Sequence, residues 1–373
     1  MIYLDYAASA PPYPQCADEL RRVMCEFYGN PGGIHEEANR ARRLLNQSRR
    51  TLARLLGVDD REIFFTSGGT ESNNWAVKTA LAASGKRHMV VAASEHKSVL
   101  ESARAMQRQG VEVSFVRPDG NGLVTEAAVA AALRHNTGLL CVQAVNNETG
   151  VIQDVEAMAA LAHSRGALYL CDAVQSFGHL RQELRGAELI SVSAHKLGGP
   201  RGVGFLAARH SRLSLRPFIH GGGQELQYRS GTENLPAIAA FAMAAELAFD
   251  ELDAEQERLS RLSDRFSEAL RAVCPGMTVN GESAPRHPGI LSCRFPGISA
   301  EELALRLDIE GICASPGAAC SARINVPSHV LRSMGLSDEE AAASLRFSFG
   351  RLTTEEELER TAAAVGKILE RKK

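Results

Sequence analysis

Residues 189–204, LISVSAHKLGGPRGVG, decide the fold. Leu189 to Ser193 reads as a short buried strand, which runs into a turn carrying Ser193, His195 and Lys196 and stops at Gly198 and Gly199. A lysine after a strand is ordinarily just solvated. Here its company changes the reading: 24 positions upstream a second apolar strand, Ala167 to Cys171, ends on Asp172, followed by Gln175. A lysine that forms a Schiff base with pyridoxal phosphate needs a carboxylate on the pyridine nitrogen, because the ring is an electron sink only while that nitrogen stays protonated. Lys196 and Asp172 fit those two roles.

Outward from this stretch, short apolar runs alternate with helical segments. The runs are Ile63 to Phe65, Met89 to Ala92, Val111 to Val116, Leu139 to Val145, Ala167 to Cys171, Leu189 to Ser193 and Gly204 to Ala207. That alternation predicts an α/β fold with a mainly parallel sheet of seven strands covered by helices on both faces. Before it, residues 1–15 read as irregular, with Pro11, Pro12 and Pro14 blocking a helix, followed by helices at about Cys16 to Phe27 and Glu36 to Leu56. After it, Pro236 to Val273 has helical spacing and reads as one or two long helices. The remainder reads as a smaller α+β unit: strands Gly289 to Phe295, Ile312 to Ser315 and Ser344 to Phe349, and helices at Ser299 to Ile309, Ser328 to Met334 and from Thr353. The division expected is a large unit, 15–250, and a small one, 1–14 with 251–373.

Composition narrows the class. A chain of 373 residues, 45% hydrophobic and 23% charged, buries a large core, and a net charge of −2 offers no general attraction to nucleic acid or anionic membrane. The basic run Arg40 to Arg54 reads as the solvated face of a helix. No stretch of eighteen apolar residues occurs and the N-terminus has no signal-peptide pattern, so a cytoplasmic protein is expected. The eight cysteines are scattered without metal-binding spacing, which predicts reduced thiols and no metal.

Further groups gather at the expected carboxyl ends of the strands, where open α/β sheets bind ligands. Thr66-Ser67-Gly68-Gly69-Thr70-Glu71-Ser72 links a strand to a helix, and its glycines with the helix N-terminus make a phosphate seat. His96 follows the strand ending at Ala92; alone it reads as a structural histidine, but at this edge it can stack on a flat ring and carry protons. Asn147, in the turn 146–150, reads equally well as part of a polar turn or as a ligand to a ring hydroxyl.

SGGTES (67–72), Ser94-Glu95-His96, NNETG (146–150), DAVQ (172–175), SAHK (193–196), HGGGQE (220–225), RSGTEN (229–234), PSHVLRSMG (327–335) and SLRFSFGR (344–351) occur in this order along the chain. Together they resemble the NifS/IscS-type cysteine desulfurases, over nearly the whole length. The resemblance implies a fold-type I, pyridoxal-phosphate-dependent homodimer that removes sulfur from L-cysteine, leaves L-alanine, and passes a persulfide to a protein acceptor such as an iron–sulfur scaffold or a thiolation protein. It implies Lys196 as the Schiff-base residue and Asp172 on the pyridine nitrogen. It implies Gln175 and Asn147 at the ring oxygen and His96 stacked on the ring in proton transfer. Gly69, Thr70, Ser193 and His195 would hold the phosphate, with Thr232 reaching in from the other subunit. Arg346 would clamp the substrate carboxylate, and Cys320 would receive the sulfur. Independently, Cys141, Cys171, Cys293 and Cys313 fall in apolar strands, where thiols are usually inert filling, whereas Cys320 falls in a long loop among small residues. The sequence departs from the family pattern at Gly317-Ala318-Ala319-Cys320, where Gly-Ser-Ala-Cys is usual. Two other readings stay open: selenocysteine lyase or another lyase or aminotransferase on this fold, and a non-catalytic scaffold for assembly partners.

Overall fold

A computed structural model describes residues 1–209, 215–317 and 327–372. The large sheet contains β2 (Ile63–Thr66), β3 (His88–Ala92), β4 (Glu112–Val116), β5 (Thr137–Cys141), β6 (Leu168–Asp172), β7 (Leu189–Ser193) and β8 (Gly204–Ala208), in the order β2-β8-β7-β6-β5-β3-β4. Every pairing from β4 to β7 is parallel, and β8 runs antiparallel to both β7 and β2. The seven strands therefore match the seven apolar runs, and β8 is the one reversed member among them.

Strand side chains alternate between faces, and two apolar clusters form accordingly. Phe64, Met89, Val91, Leu139 and Leu189 pack on one face with Trp75 of α3 (Gly69–Ser84) and Val99 of α4 (Lys97–Arg108). Ile63, Phe65, Val90, Tyr169 and Ile190 pack on the other. There they meet α1 (Pro14–Glu26), α2 (Glu36–Leu56), α5 (Glu126–Ala132), α6 (Val155–Ser164) and the first half of α7 (Leu235–Val273). The long segment anticipated as one or two helices is a single 39-residue helix. Its second half joins a third cluster with β9 (Thr278–Val279), β10 (Ile290–Arg294), α8 (Ala300–Ile309), β11 (Ile312–Cys313), β12 (Ser344–Ser348) and α11 (Glu355–Glu370). Two short helices, α9 (His329–Ser333) and α10 (Asp338–Ala342), lie between β11 and β12.

Two expectations need correction. The N-terminus is not irregular throughout: β1 (Ile2–Tyr3) pairs in parallel with β11, which carries the chain start into the third cluster. Pro14 does not block α1 but opens it, since a proline in the first turn needs no N–H and its fixed φ suits a helix. The run anticipated as strand Leu139 to Val145 is a regular strand to Cys141; beyond it the Val142 and Ala144 N–H groups still donate to Leu170 O and Asp172 O of β6 before the chain enters the polar turn 146–150.

Tight backbone approach positions the site. A Cβ on Gly204 would lie 2.4 Å from Val192 O and 2.7 Å from Gly68 Cα, so β8 and the β2–α3 turn can meet only through glycine. Gly204→Ala is expected to destabilise the protein by about 1–3 kcal/mol, as overpacking of a filled region does, and to loosen the β2–α3 turn. Urea unfolding of the ligand-free variant checks this, and an unchanged midpoint would contradict it.

Candidate active site

The carboxyl ends of β2, β3, β5, β6 and β7 face one cleft, the usual place for a ligand in an open α/β sheet. Lys196, Asp172, Gln175, Asn147, His96, Gly69, Thr70, Ser193, His195 and Arg346 all line it. Ten of the residues singled out from sequence are thus brought together. Thr232 is exposed and does not line the cleft of its own chain. Cys320 lies outside the described residues.

Asp172 ends β6 and is 6% exposed. Burying a carboxylate demands donors. Asn73 Nδ2 donates to Oδ2 at 2.7 Å and the Val174 N–H to Oδ1 at 3.0 Å. Asn73 Nδ2 also donates to Ser98 Oγ at 2.9 Å, and Ser98 Oγ lies 2.7 Å from His96 Nδ1. His96 is the N-cap of α4, its Nδ1 accepting the Ser98 N–H at 3.1 Å. Burial pushes His96 below the usual histidine value, and Lys196 and His329 push the same way, against the opposing pull of Asp172 and Glu148. Glu95, fully enclosed beside the Gln143 N–H, is held well above the ordinary carboxylate range by burial and then by Asp172.

Lys196 follows β7 in a single 3₁₀ turn, Ala194–Lys196. Its Nζ donates to Ala7 O at 2.5 Å and Ala8 O at 2.8 Å. Gln175 Nε2 donates to Ala7 O as well, at 2.8 Å. The N-terminal segment, read from sequence as featureless, therefore forms a wall of the site. Asp5 adds to it: its Oδ1 accepts from Arg346 Nη2 at 2.6 Å, while Arg346 Nη1 donates to Asn147 O at 2.7 Å. Arg346 is only 2% exposed, and its Nε has no partner among the described residues.

Beside the lysine, Ser67 to Thr70, Ser193, His195 and Arg201 border a second, more open hollow. Gly68 has φ +145°, and a Cβ on Gly69 would meet Val174 Cγ2 at 2.7 Å, so the first amides of α3 stay uncovered by side chains. A 16-residue helix pointing its N-terminus here, with an arginine opposite, suits a phosphate. An amine on one wall, a donor-held carboxylate on another and an anion seat at the end fit pyridoxal phosphate. No group of three or more His, Cys, Asp or Glu among the described residues is placed to hold a metal ion.

Burial works against four of the other thiols as nucleophiles. Burial pushes Cys141 and Cys171 well up and Cys293 to about 12, while Cys313, partly exposed in β11, is also raised, by burial and then Asp308. Sequence reasoning missed Asn73, Ser98, Asp5 and the Ala7 and Ala8 carbonyls. Only Asn73 carried a signal, as a polar residue on the apolar side of α3.

Comparison with known proteins places these features. The family model described as aminotransferase class-V matches residues 2–361. The chain is 41% identical to a cysteine desulfurase IscS of Anaeromyxobacter sp., over 98% of this chain and 91% of that protein. It is 39% identical to a cysteine desulfurase IscS of Shewanella piezotolerans, over 96% and 90%. A solved structure described as a NifS-like protein superposes with a TM-score of 0.92 at 32% identity, covering 99% of both chains.

His195 supplies a test of the site's electrostatics. Burial, then Lys196 and Arg201, push it down to about 4, against about 6.5 for an unhindered histidine. Between those pH values the unfolded chain binds a proton that the folded chain refuses, so this contribution is present above about pH 6.5 and is lost as pH falls towards about 4. His179 and His287, both buried, act in the same direction. The unfolding midpoint of ligand-free protein should fall from pH 7 to 4.5, and less steeply in His195→Gln. Equal slopes would remove His195 from the account.

Proposed function

The chain belongs to the class-V aminotransferases, where it is a pyridoxal-phosphate-dependent cysteine desulfurase, and on that premise we propose which of its residues carry the reaction. The observation that carries the assignment is the convergence of Lys196, Asp172, His96 and Arg346 on one cleft beside the α3 N-terminus. Pyridoxal phosphate supplies an electron sink for charge developing on substrate carbon.

Lys196 would hold the cofactor through its aldehyde carbon and, once displaced by substrate, take the substrate α-proton. The alanine carbonyls that receive its ammonium hydrogens keep Nζ within the cleft. Asp172 would partner the pyridine nitrogen, Gln175 and Asn147 the ring oxygen, and Gly69, Thr70, Ser193 and His195 the phosphate. Arg346 would meet the substrate carboxylate; a guanidinium has five donors, of which Asp5 and Asn147 O engage two. Cys320 thiolate would attack the sulfur of cysteine. An S–S bond forms as the C–S bond breaks, and protonation of the electron pair left on carbon gives alanine. The persulfide then passes to a sulfur acceptor, for which an iron–sulfur scaffold or a thiolation protein is our reading.

The chain also reads as two units, 15–250 and 1–14 with 251–373, a division supported by the separate apolar clusters. No described helix is long and apolar enough to cross a membrane. Our reading is a cytoplasmic protein without direct nucleic-acid or membrane binding, and a net charge of −2 offers no general attraction to either polyanion. Homodimerisation fits the exposed Thr232, which would complete the partner's phosphate seat, and the exposed apolar side chains of Tyr28, Ile34 and Leu226. Sedimentation should find the active species dimeric; a fully active monomer would refute this.

The catalytic assignment is tested by a pair of variants. Lys196→Ala should abolish alanine formation and the absorbance of the lysine-linked cofactor together. Cys320→Ser should keep that absorbance and its change on adding cysteine, yet form no persulfide. Persulfide recovered on Cys313 or Cys293 of the wild type, with Cys320 unmodified, would show that another thiol is the acceptor.

A further inference from the structure

We propose that Asn73 and Ser98 are positioning residues that fix His96 as its Nε2–H tautomer and tie it to the Asp172 carboxylate in one hydrogen-bonded chain. The inference rests on the cleft being the cofactor and substrate site. It assigns work to two side chains to which the reaction as described gives none.

Each proton in the chain has one consistent place. The Ser98 backbone N–H can only donate, and at 3.1 Å it donates to His96 Nδ1, so that nitrogen carries a lone pair. Asn73 must turn its Nδ2 towards Asp172, because the reversed amide would set Oδ1 against a carboxylate oxygen at 2.7 Å with no hydrogen between them. The second N–H of Nδ2 then goes to Ser98 Oγ at 2.9 Å. With that lone pair engaged, the Ser98 hydroxyl hydrogen is directed to His96 Nδ1 at 2.7 Å. Nδ1 thus receives two donors, and the ring proton of the neutral imidazole stays on Nε2.

Charging the ring means adding a proton at Nδ1, where both donors already point. Protonation of His96 therefore breaks the N-cap of α4 and reverses the Ser98 hydroxyl, which is held by Asn73. The charged and titratable groups that face His96 are Asp172, Lys196, His329 and Glu148, and they pull in opposite directions. The hydrogen-bonded chain resolves that balance in favour of the neutral ring. In this resting arrangement His96 is a hydrogen-bond donor through Nε2, and its charging is coupled to a shift of the Asn73–Ser98 pair.

Asn73 is nine-tenths or more buried and its Oδ1 has no partner among the described residues. A buried amide that leaves its acceptor unmatched so that both N–H groups meet Asp172 and Ser98 is placed for its donors. Packing alone would be better served by an apolar side chain of the same shape.

The test is the protonation of His96, read by ¹⁵N chemical shifts in histidine-labelled holoenzyme and again after the cofactor is removed. In the wild type at pH 7, Nδ1 should resonate as unprotonated and Nε2 as protonated, in both forms. Ser98→Ala removes the hydroxyl donor but keeps the backbone one, and should raise the His96 pKa by about one unit. Ser98→Thr restores the hydroxyl and should return it to the wild-type value. Asn73→Ala deprives Asp172 Oδ2 of its donor and should weaken pyridoxal phosphate retention about tenfold, whereas Ser98→Ala should change it less than threefold. An Nδ1–H or doubly protonated ring in the wild type at pH 7 would overturn the inference. So would identical His96 titrations in the wild type and Ser98→Ala, or a Thr variant that behaves like the Ala one. The tautomer is read without turnover, so loss of the desulfurase assignment would show separately, in the alanine assay.

Discussion

A carboxylate cannot be taken out of water unless hydrogen-bond donors replace the water. Asp172 is carried into the cleft by the end of β6, and the donors come from different parts of the chain: a backbone N–H two residues on and a side chain 99 residues earlier, on α3. That requirement ties α3 to the end of β6, and α3 in turn presents its N-terminus to the phosphate seat. Gly68, Gly69 and Gly204 follow from the same demand, since the helix reaches this place only if the turn before it lies against β8 and Val174 without side chains between. The anion seat and the carboxylate anchor are consequently two ends of one rigid arrangement.

A second constraint is the buried Arg346. Its charge is met by Asp5 and by the Asn147 carbonyl, so β12 is linked both to the N-terminal segment and to the turn after β5. Removing one partner of such a pair leaves the other buried and uncompensated, which costs about 3–5 kcal/mol. The segment from Asp5 to Ser9 is held at both ends, by the β1–β11 pairing before it and by the carbonyl contacts of Lys196 within it. Arg346 and Lys196 thereby share a wall made of the first ten residues.

This explains what the sequence could and could not disclose. Lys196, Asp172, His96 and the glycine turn stood out because each follows an apolar run, and in a parallel sheet the ends of such runs converge by topology alone. The N-terminal wall gave no signal because it works through the carbonyls of Ala7 and Ala8, which any residue would supply. Ser98 was illegible for another reason, and Asn73 showed only as a polar residue on the apolar side of α3: polar residues near a helix start usually face water, and the packing of α3 against α4 turns these two inward. The error at Pro14 came from treating proline as a breaker without asking whether it falls at a first turn. The run after Leu139 reads as strand to its end because Val142, Ala144 and Val145 are buried as deeply as the strand itself, and the Val142 and Ala144 N–H groups still bond to β6 past the last regular pair.

Two enclosed carboxyl groups, Glu95 after β3 and Asp172 at the end of β6, stand on either side of β5 in the sheet order. Glu95 receives the Gln143 N–H, is fully buried, and is held well above the ordinary carboxylate range by burial and then by Asp172. Asp172 receives donors on both oxygens and borders the open cleft. Like charges in a poorly solvated place repel, and after burial it is Asp172 that raises Glu95. His96 is one residue after Glu95 and is linked to Asp172 through Ser98 and Asn73. The hydrogen bonds that hold Asp172 in place thus reach the imidazole as well, and burial keeps that ring below the usual histidine value.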